Sequence, residues 1–292
     1  EGALTTNSAE QLVSPDLRPR QSRAVRRFLR HKLAVASLIF IVLIALISFP
    51  LAPIVAPIPP SKIELREIGN PPGNGHFLGT DLTGRDVWSR LVYGGRVSLS
   101  VGLVAVSIML TIGTVLGSIA GYYGGRADAF IMRVTDSFMA FPTLIILISV
   151  VAIIGPGLFN AMIAIGLISW TGIARLVRGE ILSLREQDFV LAAKATGVPE
   201  GRIIFRHVMP NVVAPLTVAA TFGIAGAILT EAGLSFLGLG VRPPTPSWGN
   251  MLTGAQTYFT KGGYLVIAPG LLIFVTVLCL YVIGDGLRDA FD

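Results

Sequence analysis

The sequence predicts an all-α membrane protein with six transmembrane helices. Hydrophobic residues make up 52% of the 292 residues and charged residues only 14%, whereas a soluble domain carries about 25% charged residues. A bilayer core is crossed by about 20 apolar residues in a helix. Six stretches meet this requirement, at residues 33–54, 97–121, 129–154, 158–179, 209–232 and 264–285.

The first stretch follows a basic tail, residues 1–32, which contains Arg18, Arg20, Arg23, Arg26, Arg27, Arg30 and Lys32. A basic start is also typical of a signal peptide, but the apolar run is long and the small residue Ala56 is followed by Pro57, so we favour an uncleaved span. Basic residues concentrate in alternate loops, which indicates that both termini are cytoplasmic. Residues 55–96 then form an extracytoplasmic segment.

The second stretch carries glycines at helical spacing, and several prolines fall within later stretches. Glycines on one helix face let another helix backbone approach closely, so they predict tight helix packing, with a permeation path as the alternative. Prolines inside helices remove a hydrogen bond and tend to produce kinks. The residues concerned are Gly102, Gly113, Gly117, Gly121 and Gly125, and Pro142, Pro215 and Pro269.

Motifs for catalysis and cofactor binding are absent from the sequence. It has no Gly-rich loop of the P-loop type for phosphate, and His31, His76 and His207 are too scattered to suggest a metal site. We therefore expect no enzymatic activity and no cofactor bound by this chain. Cys279 stands alone, and the sorting of basic residues by loop argues against nucleic-acid binding. Few charges fall within the spans, which argues against an ion-driven carrier.

The polar stretch DFVLAAKATGVPEGRIIFRHVMPN, residues 188–211, lies in the predicted cytoplasmic loop between the fourth and fifth spans. Its first half predicts a short helix at residues 185–196, with Phe189, Ala192, Ala193 and Thr196 on one side. Gly197 is placed to end this helix in the left-handed conformation, Pro199 suits the start of a second helix, and Pro210 limits that helix. The sequence thus predicts a helical elbow that fits a groove in another protein, or else an ordinary surface elbow.

Within this stretch, Ala192-Ala193, Gly197 and Pro210 resemble the EAA loop of permease subunits in ATP-binding-cassette (ABC) importers. The resemblance implies that residues 185–210 form coupling helices that dock on cytoplasmic ATPase subunits. Two departures are Leu191 in place of the usual Glu, and His207 and Met209 near the end. The residues assigned to coupling are Phe189, Ala192, Ala193, Lys194, Gly197, Arg202, Arg206 and Pro210.

Further blocks resemble the C-type permease subunit of dipeptide and oligopeptide importers, at residues 77–102, 121–148, 231–252 and 284–292. The resemblance implies a type I ABC importer permease fold, with a core permease domain at residues 97–287, in a bacterial or archaeal plasma membrane. It implies a homologous permease, two ATPase subunits that carry ATP and Mg²⁺, and an extracytoplasmic binding protein as partners. Nickel, glutathione or another small solute remain alternative cargoes. A secondary transporter working alone, or a membrane scaffold, are the alternatives from other classes.

Four polar residues are candidates for a gate or for contact with the binding protein. Asp81, Arg85 and Asp86 lie in the outer segment, where local turns and salt bridges are the alternative role. Glu231 falls near the outer end of the fifth span, where a lone acid must face protein or water; a hydrogen bond between helices is its alternative role. We expect Arg175 and Arg178, at the inner end of the fourth span, to extend toward the membrane surface.

Overall fold

The computed structural model of the chain describes residues 20–73, 75–253 and 263–291, with side chains described from residue 24 onward. Within these ranges every regular element is helical, which confirms the predicted all-α class. The α-helices are α1 (Arg20–Arg30), α2 (Lys32–Ser48), α3 (Ala52–Val55), α4 (Val87–Tyr123), α5 (Gly125–Met139), α6 (Thr143–Ile154), α7 (Leu158–Leu184), α8 (Asp188–Ala195), α9 (Glu200–Ile203), α10 (Met209–Phe236), α11 (Trp248–Met251) and α12 (Tyr264–Phe291). A 3-10 turn, Leu65–Glu67, and a π-helical turn, Ile204–Val208, complete the described elements.

Four of the described helices are long and apolar enough to cross a membrane. They are α4, α7, α12 and the continuous helix Glu200–Phe236, which joins α9, the π-helical turn and α10. Two bent pairs are long enough in combination: α1 and α2 meet at 92°, and α5 and α6 meet at 86°. The predicted number of six spans is reached when each bent pair crosses the membrane once.

α2, the apolar helix of the first bent pair, is shorter than the predicted stretch 33–54. α2 begins after His31, whose ring nitrogen accepts a hydrogen bond from the Ala34 amide at 3.1 Å, and ends at Ser48. Prolines at 50 and 53 follow, and a proline cannot donate the hydrogen bond that would continue the helix. The chain therefore turns into the short helix α3 before it enters the loop that leads to α4.

Three of the five predicted glycines, Gly113, Gly117 and Gly121, form a close seam between α4 and α7, whereas Gly102 packs against Ile224 of α10 and Gly125 begins α5. A Cβ at Gly117 would lie 2.5 Å from the Ala174 carbonyl oxygen, and one at Gly121 would lie 2.9 Å from the Arg178 carbonyl oxygen. From the other side, a Cβ at Gly166 would lie 2.9 Å from the Ala105 carbonyl oxygen. Since no side chain separates the two backbones, the glycine face serves helix packing within the chain.

The third stretch, 129–154, is divided between α5 and α6. The break follows from Pro142, which precedes the first residue of α6 and cannot continue α5. α5 is tied to α7 by ion pairs. Arg178 binds Asp128 through two nitrogens, one of them at 2.7 Å, and Arg175 binds Asp136 at 2.5 Å. Both arginines therefore bind acids of the same chain, a contact that the sequence did not predict.

α10 and α12 contain the other two prolines without a break. Pro215 and Pro269 lie inside these helices, which continue to Phe236 and Phe291. The two helices pack against each other: a Cβ at Gly284 would lie 2.5 Å from the ring of Phe222. The kinks expected at these two prolines are thus not sharp enough to divide a helix. α4 also begins earlier than expected, at Val87, so ten residues assigned to the outer segment 55–96 are helical.

Candidate functional site

The predicted coupling stretch forms a helical elbow directly after α7. Three residues separate α7 from α8, and α8 ends at a Schellman motif, in which the Val198 amide donates to the Ala193 carbonyl oxygen at 3.1 Å and the Gly197 amide donates to that of Lys194 at 3.0 Å. Gly197 has φ +74°, the left-handed region that glycine adopts without strain. The predicted helix end at Gly197 is thereby confirmed.

The two alanines of the elbow face opposite environments. Ala193 is buried with Val190 in the core that α4 and α7 share, whereas Ala192, Phe189 and Leu191 are exposed. The expected grouping of Phe189, Ala192 and Ala193 on one docking face is therefore wrong for Ala193. Ala193 follows Val190 by three positions, which is close to one helical turn, so these two residues define the inner face of α8.

Lys194 connects the elbow to the end of α4. Its ammonium nitrogen lies 5.4 Å from the centroid of the Tyr122 ring, within the range of a cation–π interaction. Tyr122 is buried, and Lys194 itself remains exposed. α4 has 37 residues, or a length of about 55 Å at 1.5 Å per residue. The elbow thus lies at the end of α4 opposite to Asp86, the residue that precedes its first turn.

The second half of the elbow does not end at Pro210. Pro199 precedes α9, and the chain then passes through the π-helical turn into α10, whose second residue is Pro210. In the π-helical turn the Met209 amide bonds to the Ile204 carbonyl oxygen, five residues earlier. The expectation that Pro210 limits the second helix is wrong, because the wider turn accommodates the proline. Arg202, Arg206 and Pro210 are all exposed.

At the other end of α4, Asp81 organises a turn. Its Oδ1 accepts hydrogen bonds from the Thr83 amide at 2.8 Å, the Thr83 hydroxyl at 2.5 Å and the Arg85 amide at 3.0 Å. Its Oδ2 accepts from Nε of Arg85 at 3.0 Å and lies 3.5 Å from Nε of Arg90. Burial acts to raise the pKa of Asp81, but these hydrogen bonds and the charge of Arg85 outweigh it, and the pKa lies below its ordinary value.

Asp86 precedes the first residue of α4 and binds His76, a contact that the sequence did not predict. Its Oδ2 accepts from the Ser89 amide at 2.7 Å, and its Oδ1 binds Nδ1 of His76 at 2.8 Å. The other ring nitrogen of His76 lies 2.5 Å from Oε2 of Glu67. Asp81, Arg85 and Asp86 therefore take part in the local turns and salt bridges that were their alternative role. The spacing of Glu67, His76 and Asp86 follows no motif, so sequence reasoning had no signal for this contact.

Glu231 is fully buried in α10 and binds serines from separate segments. Its carboxylate accepts from the hydroxyls of Ser235 at 2.6 Å and Ser247 at 2.9 Å, while Ser98 of α4 lies at 3.5 Å. Ser98 in turn accepts from the Trp248 amide at 3.1 Å. The arrangement joins α4, α10 and the start of α11, in agreement with the alternative of a hydrogen bond between helices. Sequence reasoning missed all three serines, although Ser235 lies one helical turn from Glu231 in the same helix.

Two protein-family models match the chain. The model described as a binding-protein-dependent transport system inner membrane component matches residues 113–292. The model described as the N-terminal TM domain of oligopeptide transport permease C matches residues 21–72. The first match includes α7, the elbow, α10 and α12, and the second includes α2 and α3, while residues 73–112 lie between the two matches.

Curated relatives match nearly the whole length of the chain. A dipeptide transport system permease protein of Alkalihalophilus pseudofirmus is 45% identical, over 92% of this chain and 88% of the relative. An oligopeptide transport system permease protein of Haemophilus influenzae is 42% identical, over 92% and 87%. A glutathione transport system permease protein of Pectobacterium atrosepticum is 41% identical, over 91% and 89%.

The helix arrangement also resembles a solved structure. A chain of the MetNI methionine ABC transporter, in an inward facing conformation, superimposes with a TM-score of 0.57 at 20% sequence identity. The superposition covers 69% of this chain and 96% of that chain. At this level of identity the likeness supports a shared fold.

Proposed function

Since this multi-pass membrane chain belongs to the family of binding-protein-dependent transport system inner membrane components, we propose that it imports dipeptides or oligopeptides as one of two homologous permease subunits of an ABC transporter. The assignment of a peptide cargo rests on the identity of 45% to a dipeptide permease over nearly the full length of both chains. Substrate passes between the two permeases, and an extracytoplasmic binding protein delivers it.

The cargo is tested by uptake into proteoliposomes that contain the assembled transporter, its binding protein and ATP. A labelled dipeptide or tetrapeptide should accumulate inside. Because one relative is named for glutathione transport, labelled glutathione is the second substrate in the same assay. Uptake of glutathione without uptake of either peptide would replace the proposed cargo, and uptake without ATP would contradict the transporter class.

ATP hydrolysis, in this proposal, takes place on two separate ATPase subunits that bind ATP and Mg²⁺. They dock on the elbow, at its exposed side chains Phe189 and Ala192 and near the exposed Arg202 and Arg206. Support comes from the position of α8, which follows α7 after only three residues and is fixed by buried Val190 and Ala193. A force on α8 therefore acts on α7 directly. With ATPases at this end, both termini are cytoplasmic and residues 57–86 face outward.

Docking is tested with Ala192→Arg. The side chain at 192 is exposed in the free chain, so the variant should insert and fold normally while the long charged side chain separates the elbow from the ATPase. Copurification of ATPase subunits should fall, and ATP-driven uptake should fall with it. Ala193→Arg provides the contrast: because Ala193 is buried, this variant should lose thermal stability before any partner is added. Normal copurification and uptake with Ala192→Arg would place the ATPase elsewhere.

The turn of the elbow is tested with Gly197→Val and the control Gly201→Ala. A β-branched residue at φ +74° costs more than about 1–2 kcal/mol, and this cost falls on the turn between α8 and α9. Gly201 lies in α9 with no atom near its missing Cβ, so alanine fits there. We expect only Gly197→Val to impair uptake. Equal uptake by the two variants would show that the turn conformation has no part in coupling.

A further inference from the structure

The outer loop, residues 57–86, contains a cluster of metal-ligand side chains to which the proposed function assigns no role. One ligand atom each from Glu64, Glu67 and His76 lies within 4.8 Å of the others. The imidazole is buried and 6% exposed, and the two carboxylates are about 30% exposed. A buried imidazole with two carboxylates at the rim is a set of nitrogen and oxygen ligands that suits a divalent transition metal.

His76 is held in the manner of a metal-binding histidine. Its Nδ1 donates to Oδ1 of Asp86 at 2.8 Å, and Asp86 is itself fixed because its other oxygen accepts from the Ser89 amide. Metal-binding histidines usually donate one ring N–H to a carboxylate or carbonyl, which fixes the tautomer and presents the other nitrogen to the metal. Here the other nitrogen, Nε2, donates to Oε2 of Glu67 at 2.5 Å, so a zinc ion would replace the proton on Nε2.

We propose that the outer loop binds a zinc ion through Nε2 of His76 and the carboxylates of Glu64 and Glu67. Zinc takes imidazole nitrogen and carboxylate oxygen in four-coordinate sites, and a site with three protein ligands keeps water in the fourth position. Two carboxylates balance the double positive charge of the ion. Asp86 remains outside the ligand set and orients the imidazole.

The side chains need only a small rearrangement to bind zinc. Two ligands about 2.1 Å from a tetrahedral zinc ion are about 3.4 Å apart, so the contact of 2.5 Å between His76 and Glu67 must widen by about 1 Å. Glu64 must leave Lys62, which it contacts at 2.5 Å and whose side chain is 56% exposed. Both movements concern the ends of partly exposed side chains.

The backbone that carries the ligands is already fixed. The Glu64 amide donates to the Gly84 carbonyl oxygen at 3.0 Å, and the Glu67 amide donates to that of Glu64 at 2.9 Å. His76 exchanges backbone hydrogen bonds with Gly73 at 2.9 Å and 3.0 Å. A bound zinc ion would therefore join the 3-10 turn to His76 and, through Asp86, to the first turn of α4.

The test is zinc binding by the full chain purified in detergent after chelator treatment. Equilibrium dialysis with zinc chloride should give about one ion per chain, and cobalt(II) in place of zinc should give a visible ligand-field spectrum. His76→Gln should abolish stoichiometric binding. Glu64→Gln, at a partly exposed side chain that leaves the loop backbone intact, should weaken binding at least tenfold. The controls are His207→Gln and Glu186→Gln, which lie outside the cluster and should bind as the wild type does.

Two results would overturn the proposal. One is the absence of stoichiometric zinc from the wild-type chain. The other is equal binding by the wild type and by both cluster variants, which would assign the ion to another part of the chain. Thermal unfolding is recorded in parallel: zinc should raise the Tm of the wild type and leave the Tm of His76→Gln unchanged. This comparison separates loss of the site from loss of the fold.

Discussion

The ammonium group of Lys194 lies 5.4 Å from the centroid of the Tyr122 ring and so connects the elbow to the last turn of α4. Tyr122 lies beside Gly121, which contacts the backbone of α7. The elbow is thus joined to the membrane-spanning part twice, through the chain connection to α7 and through the contact with α4.

Loss of this contact should loosen the elbow. A cation–π interaction contributes about 0.5–2 kcal/mol, so Lys194→Met and Tyr122→Leu should each lower the Tm, and the two changes together should cost less than the sum of their separate effects. Tyr122→Phe is the matched control, since it keeps the ring, and the buried Tyr122 hydroxyl makes no hydrogen bond within the described residues. Strict additivity of the two changes would show that the contact contributes nothing.

The seam between α4 and α7 should not tolerate a larger residue. Gly117→Val places a Cβ where the Ala174 carbonyl oxygen lies 2.5 Å away, and such overpacking costs about 1–3 kcal/mol or more. We expect a lower Tm and less folded protein in the membrane. Gly172→Ala is the control in α7, where no atom lies within 4 Å of the missing Cβ. A stable Gly117→Val variant would mean that the helices can separate without cost.

Glu231 should matter for the stability of the outer end of α10. In Glu231→Leu the hydroxyls of Ser235 and Ser247 lose their acceptor while buried, and each unsatisfied group costs about 1–3 kcal/mol. Glu231→Gln keeps one oxygen acceptor and should be affected less. The Tm should therefore be highest for the wild type, lower for Glu231→Gln and lowest for Glu231→Leu. Unchanged stability of Glu231→Leu would contradict the role assigned to the carboxylate.

Asp81 should stabilise the outer loop in a manner that depends on pH. Its folded pKa is lowered, so the stabilisation is complete above the ordinary carboxyl pKa of about 3.9 and is lost as the pH falls through the lower, folded pKa. Asp81→Asn should therefore have a lower Tm at neutral pH, by a constant amount down to about pH 5 and by a decreasing amount below about pH 4. Glu186→Gln, at an exposed side chain, is the control. A difference in Tm between the wild type and Asp81→Asn that increases on acidification would contradict this prediction.

The glycine spacing of α4 predicted close packing because a face without side chains has few other uses in a membrane. The partner of that face followed only from the structure, since apolar sequence alone does not indicate which helix lies opposite. The same limit explains why the sequence placed both Ala192 and Ala193 on the docking face, although only Ala192 is exposed. Both are small, and the sequence could not indicate which one α4 and α7 would cover.

The hydrogen bonds of Glu231 could not be predicted, because they join separate segments of the chain. The carboxylate of Glu231 lies near one serine of α4, Ser98, and binds two serines that follow it in the chain, Ser235 and Ser247. A serine at any one of these positions does not by itself indicate such a contact.

Pro210 shows a different limit of prediction from sequence. A proline usually ends a helix, but a π-helical turn of five residues shifts the hydrogen-bond pattern so that Pro210 falls at the start of α10.

The α4–α7 seam also restricts where the chain can bend. Three glycines, Gly113, Gly117 and Gly121, place the two backbones in contact along more than two helical turns, so the helices cannot slide past each other without steric overlap. α4 and α7 therefore form one rigid unit that is about as long as α4. Bending of this part of the chain must then occur outside the α4–α7 pair, and the chain changes direction by 86° between α5 and α6 at Pro142.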